Sequence, residues 1–166
     1  MIRALAKLIG TVLFALTAIG VVFVVGMRAK SPPVLNTVRR ISRATKPMVL
    51  KTAGQAGTST SVIRHVGRTS GRDYETPVSA LTTEDGFLIA LPYGPNTDWL
   101  KNVLASGSAT IVDQGTTYAV DHPEVVPLSE AEPDLPPDTL RPLHLFRVEA
   151  CLRVRRITEA ATQSAG

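Results

Sequence analysis

No aspartate or glutamate occurs before Asp73, although the 166-residue chain holds 14 acidic residues. Nothing acidic therefore interrupts its N-terminal third. The single cysteine, Cys151, excludes an intramolecular disulfide and a cysteine-based zinc site. It reads as a small buried apolar residue. His65, His122 and His144 are far apart in the chain. A lone strand histidine is more often packed than a ligand, so no metal site is expected. The chain has no G-x-G-x-x-G after a strand, no G-x-x-x-x-G-K-[ST], no H-E-x-x-H and no G-x-S-x-G. Dinucleotide-fold, P-loop, zinc-protease and nucleophile-elbow readings are thereby left unsupported.

What is present is a long apolar run. Leu8 to Met27 is twenty residues without a charge, and twelve of them are Leu, Ile, Val or Phe. As a helix it spans roughly 30 Å, the thickness of a bilayer's hydrocarbon core. A cleaved signal peptide is the rival, since Arg3 and Lys7 precede the run. Such apolar regions usually run about 7–15 residues before a small-residue cleavage site. This one is longer and ends in Met27-Arg28-Ala29-Lys30. It is read as a single-pass transmembrane anchor over residues 1–30. Arg28, Lys30, Arg39, Arg40, Arg43 and Lys46 follow the run. Positive loops stay in the cytoplasm, which puts the body of the protein on that side.

Charge is segregated along the chain. Residues 1–52 hold nine basic residues and no acid, a net +9, and residues 53–166 a net −5, which together give the chain's +4. The positive charge lies beside the apolar run, where anionic lipid attracts it. It is no nucleic-acid footprint, and no nucleic-acid partner is expected. Pro32 and Pro33 stop the first helix and open a second, with Ser31 as its cap. Val34, Val38, Ile41 and Met48 recur at helical spacing among the cations. This basic amphipathic segment, 31–57, is interrupted near Pro47. It suits a lipid surface, or equally a helix packed on the domain with a solvated basic face.

From Thr58 the pattern shortens. Strands are expected at 61–66, 74–82, 87–91, 109–113, 117–126 and 150–156, with a helix at 98–105 capped by Thr97 and ended at Gly107. Glu130 to Asp138, acidic and proline-rich, reads as a surface loop. The order predicts a mainly β (α+β) domain over 58–158, a small closed or half-closed β-barrel, followed by a tail at 159–166.

Two segments can carry chemistry. Gly67-Arg68-Thr69-Ser70-Gly71-Arg72 offers backbone N–H groups, hydroxyls and two guanidinium forks, which suit a phosphate or carboxylate. An exposed hairpin uses the same residues. Leu91 to Asn102 runs from a strand through a Gly- and Pro-rich loop into a helix. There Trp99 and Asn102, three apart, share a face. A core Trp with a satisfied Asn fits the same pattern.

As a pair, these segments resemble the deazaflavin-dependent nitroreductase family. The resemblance rests on Gly67-Arg68-Thr69-Ser70-Gly71, on Pro77, and on Trp99 with Asn102 ahead of a glycine-containing strand. It spans about Ile63 to Val126. It implies a split β-barrel that binds coenzyme F420. Arg68, Thr69 and Ser70 match the turn holding the cofactor's phosphate and oligoglutamate tail, with Arg72 beside them. Ala90, Pro92, Tyr93 and Gly94 match the strand end along the deazaflavin ring, with Asn96 in the loop that follows. Trp99 and Asn102 match the helix that closes the tail site. Relatives often carry lysine where Thr69 and Tyr93 stand, and can use C-terminal tyrosines, whereas no tyrosine follows Tyr118 here.

The implied activity is a membrane-anchored oxidoreductase. It would pass a hydride from reduced F420 to an electrophilic small molecule, with a lipophilic quinone suggested by the anchor. An FMN-dependent split-barrel enzyme and a non-catalytic, membrane-tethered cofactor- or lipid-binding module are the alternatives. No catalytic residue is assigned, and the oligomeric state is not legible.

Overall fold

The computed structural model describes residues 2–157, with side chains described at residue 9 and from residue 11 onward. The tail expected at 159–166 lies outside the described residues. The first helix, α1, runs Ile2–Arg28. Its Thr11–Arg28 stretch has a mean hydropathy of 2.1 and is only 11% buried, so it is long and apolar enough to cross a membrane.

A tight elbow follows α1. Ser31 N–H bonds the Gly26 carbonyl at 2.9 Å and Lys30 N–H the Met27 carbonyl at 3.2 Å, with Lys30 in the left-handed region at φ 50°. This is a Schellman turn with lysine where glycine is usual. The second helix, α2, then runs Pro32–Val49. A Cβ on Gly26 would collide with the Val34 side chain, so this glycine permits the close crossing of α1 and α2. The Ser31 hydroxyl makes no capping bond, contrary to expectation. Nor does Pro47 interrupt the helix. It stands two residues from the end, where its missing N–H costs a single bond, and Leu50 N–H still reaches the Lys46 carbonyl at 2.9 Å.

Seven antiparallel strands follow in the sheet order β2-β1-β5-β6-β7-β4-β3. They are β1 (Ser61–Val66), β2 (Asp73–Val78), β3 (Ala80–Thr82), β4 (Gly86–Ala90), β5 (Ser108–Asp113), β6 (Thr116–Pro127) and β7 (Ala150–Arg156). The strand expected at 74–82 is thus two strands. Ser79 alone separates β2, at one sheet edge, from β3, at the other. A chain that changes edges within one residue requires the edges to meet, so the sheet curls into a half-barrel. Pro77 is tolerated because β2 is an edge strand.

Strand alternation sorts the core. Phe87 and Ile89 join Ile63, Leu100, Ile111 and Leu152 inside the curl, while Leu88 packs outward with Val126, Leu128, Ala131 and Cys151. The helix α3 (Asp98–Ser106) covers the first cluster through Leu100 and Val103, and Gly107 ends it. The loop expected at 130–138 is instead α4 (Leu128–Ala131), a 3-10 turn (Glu132–Asp134) and the start of α5 (Pro137–Leu145). Leu128, Ala131 and Leu135 recur at helical spacing and bury together, which acidic and proline composition concealed.

The far end of α5 meets α1. Arg28 Nη1 donates to the Leu145 carbonyl at 2.8 Å, Lys30 Nζ to the Arg147 carbonyl at 2.9 Å, and Phe23 meets Phe146 edge-on at 6.0 Å. Cations at a helix C-terminus satisfy carbonyls that lack a partner in the last turn. The barrel therefore grips the end of the apolar helix.

Cys151 is 1% exposed, and burial raises its thiol pKa against the opposing pull of Arg153. A low thiolate fraction follows. The folded chain is expected to leave Cys151 unmodified by a thiol-reactive disulfide at neutral pH, and the unfolded chain to react in full.

Candidate ligand site

A cavity of about 840 Å³ lies between α2 and the barrel. One wall is the turn after β1. Gly67 N–H bonds the Arg72 carbonyl and Gly71 N–H the Gly67 carbonyl, both at 2.8 Å. A Cβ on Gly67 would meet Ser70 Oγ at 2.5 Å and the Tyr74 ring at 2.7 Å, so only glycine lets the turn close this tightly. Among the described residues, the Thr69 and Ser70 N–H groups have no hydrogen-bond acceptor. They are donors available to an anion.

Asn102 pins this turn to α3. Its Oδ1 accepts from Arg68 N–H at 3.2 Å and from Arg68 Nη1 at 2.8 Å. Arg68 Nη2 also pairs with Asp98 at 3.2 Å. The Asn102 Nδ2 donates to His65 Nδ1 at 3.2 Å. This leaves the imidazole proton on Nε2, which faces Thr76 Oγ1 at 3.2 Å. His65 is 6% exposed and stacks on Tyr74 with centroids 5.8 Å apart.

Burial, with the Lys46 charge second, lowers the His65 pKa below its ordinary 6.5. Just below 6.5 the unfolded chain therefore binds more protons than the folded one, and stability rises with pH. The His65 contribution is complete above about pH 6.5 and is lost as pH falls toward the lowered value. Denaturation midpoints are expected to decline on acidification below 6.5, with a shallower decline in His65→Gln.

The third wall is α2. Arg39, Ser42, Arg43, Lys46 and Val49 line the cavity from one helix face. Arg39 Nη2 donates to the Tyr93 carbonyl at 3.4 Å, and Ser42 Oγ lies 3.5 Å from Tyr93 Oη. Composition suits these cations to lipid or to a solvated face equally, and the structure instead turns them toward the barrel.

A second cavity of about 320 Å³ adjoins the first, and no charged residue lines it. Pro77, Tyr93, Thr97 and Trp99 border both. Thr97 Oγ1 is buried with no hydrogen-bond partner among the described residues, and it makes no cap to α3. An orphaned buried hydroxyl is costly unless a ligand or water completes it.

The candidate residues divide between the two cavities. Arg68, Thr69, Ser70, Tyr93, Asn96, Trp99 and Asn102 line the basic one. Pro92, Gly94 and Ala90 line the uncharged one, with Tyr93 and Trp99 shared. Arg72, exposed on its turn, lines neither. Sequence reasoning missed His65, Thr76, Thr97 and the α2 residues. Only the last left a signal, in the i, i+4, i+7 spacing of Arg39, Arg43 and Lys46. Among the described residues no cluster of His, Cys, Asp or Glu could hold a metal ion.

Fold and site together define a half-barrel with a two-part cavity, basic in one part and uncharged in the other. No family model and no curated protein matches the chain. A solved structure aligns at 14% identity and a TM-score of 0.35, over 69% of this chain and 79% of that one. A likeness that loose carries no argument.

Proposed function

We propose that the chain is a membrane-anchored oxidoreductase that uses reduced coenzyme F420 to reduce an electrophilic, lipid-soluble acceptor of the quinone type. One observation carries the reading: the basic cavity and the uncharged cavity meet at Tyr93, Thr97 and Trp99. The coenzyme has a comparable two-part character, a strongly anionic tail and a flat aromatic ring. When bound, the deazaflavin ring supplies the hydride.

The residues present fit such a group. Arg68, Thr69 and Ser70 line the tail compartment, the last two with N–H groups that have no acceptor among the described residues. The orphaned Thr97 hydroxyl sits where tail and ring would join. Pro92, Gly94 and Trp99 line the ring compartment, whose lining carries no charged residue. FMN fits less well, because its single phosphate would face Arg39, Arg43, Lys46 and Arg68 together. In this reading α1 spans the bilayer and its positive flank holds the barrel on the cytoplasmic side. The exposed Ile41 and Met48 of α2 rest at the lipid surface.

The reaction is tested in proteoliposomes that contain a quinone. The expected result is enzyme-dependent oxidation of added reduced F420, with matching quinol formation. Binding of F420 without oxidation across a panel of quinones and nitro compounds would instead favour a non-catalytic binding module.

A further inference from the structure

The inner face of α2 carries charge that nothing in the fold balances. Among the described residues, Arg43 and Lys46 have no ion-pair partner. Asp98 is the single carboxylate lining the cavity, and it is 80% exposed and already paired with Arg68. Arg43 and Lys46, three apart on one helix face, repel. Here they also face the Arg68 guanidinium and the donor-rich turn.

The same helix is thinly attached. No residue of α2 is buried, and its two hydrogen bonds to the barrel, 3.4 and 3.5 Å long, both end on Tyr93. By contrast α3 buries Leu100, Asn102 and Val103. Like charge across the cavity pushes α2 away from the barrel, and little apolar contact resists it. An anion between them would reverse the sign of that force.

Lipid contact does not account for the arrangement. The exposed apolar residues Ile41 and Met48, 57% and 73% accessible, do not line the cavity that Arg39, Arg43 and Lys46 line. When the apolar side rests on a bilayer, the cavity-lining cations face the barrel.

We propose that Arg39, Arg43 and Lys46 of α2 and the 67–72 turn form one binding site for a linear polyanion bearing phosphate or carboxylate groups, and that this anion clamps α2 onto the barrel. The clamp rests on the reading above only for the anion's identity, which would then be the coenzyme's tail.

The experiment uses the full chain in nanodiscs of phosphatidylcholine, with tripolyphosphate and F420 as separate probes. Binding is read by Trp99 fluorescence and α2 mobility by amide exchange across residues 39–49. Both probes are expected to bind and to slow exchange there. The double variant Arg43→Gln/Lys46→Gln is expected to lose roughly tenfold or more in affinity and to show a weaker salt dependence. Arg43→Lys/Lys46→Arg should retain most of it, and an unchanged melting midpoint shows that both variants fold. In nanodiscs with phosphatidylglycerol, slowed exchange that tripolyphosphate does not alter identifies the clamping phosphate as a lipid headgroup. Equal affinity of wild type and the Gln variant for both probes would overturn the clamp. Binding of F420 unchanged by the Gln variant but lost in Arg68→Ala overturns the clamp and leaves the proposed function standing. Binding of tripolyphosphate that depends on Arg43 and Lys46, with no binding of F420, supports the clamp and removes the coenzyme.

Discussion

Asn102→Leu is expected to destabilise the barrel by about 2–4 kcal/mol and to disable anion binding at the turn. Leucine fills a similar volume, so the effect is polar rather than steric. It removes the acceptor for Arg68 N–H and Nη1 and the donor to His65 Nδ1. Each buried polar group left unpaired costs about 1–3 kcal/mol. The turn that presents the Thr69 and Ser70 N–H groups then loses its hold on α3. Asn102→Asp is the informative partner. It keeps acceptors for Arg68 but places a carboxylate against His65 Nδ1, so the imidazole should become protonated and its pKa should rise. Chemical unfolding of both variants, with NMR titration of the imidazole, checks the pair of outcomes. A leucine variant as stable as wild type would mean that Asn102 does not organise the site.

Phe87→Ala is expected to cost about 3–5 kcal/mol, among the largest losses available to a single substitution in this fold. Phe87 is 1% exposed, packs edge-on to Tyr118 with centroids 5.2 Å apart, and lies 6.0 Å below the Arg156 guanidinium. It lies on β4, between the edge strand β3 and β7, and packs inside the curl. The cavity left behind would open in the inner cluster beside Val154, its cross-strand partner, whose backbone the β4–β7 pairing holds in place. For a barrel of about 100 residues this lowers the melting midpoint by roughly 12 °C or more. The midpoint in detergent tests it. A shift of only a degree or two would show that the curl is not the core.

Local signals carried much of the fold. The apolar run, the strand alternation of Ser61–Val66 and Ala150–Arg156, and the glycine stop at Gly107 each declare themselves within a few residues. Three features did not. The break at Ser79 follows from closure of the sheet, which is a property of all seven strands and leaves no mark on one residue. The helices after residue 127 hide behind proline and acid, and Leu128, Ala131 and Leu135 become a face only when Val126 and Cys151 lie beneath them. The third is the role of α2. By composition it suits a lipid surface or packing on the domain with a solvated basic face equally well, and only the placement of α2 over the turn puts Arg39, Arg43 and Lys46 at the cavity.

The candidate site follows the same division. Arg68, Trp99 and Asn102 were legible because they sit in short motifs, and the structure gathers them at one cavity. His65 and Thr97 were not, because their significance is relational. One matters through the nitrogen that Asn102 leaves unprotonated, the other through a hydroxyl that nothing else reaches.

Central to the proposed function is the binding of a deazaflavin with an anionic tail across the two joined cavities. Titration of the full-length chain in nanodiscs with oxidised F420, followed by quenching of its single tryptophan, Trp99, tests it most directly. Saturable binding at low micromolar concentration, weakened by salt and stronger than that of FMN, is the predicted result. No binding of either oxidised or reduced F420 at tens of micromolar would contradict it.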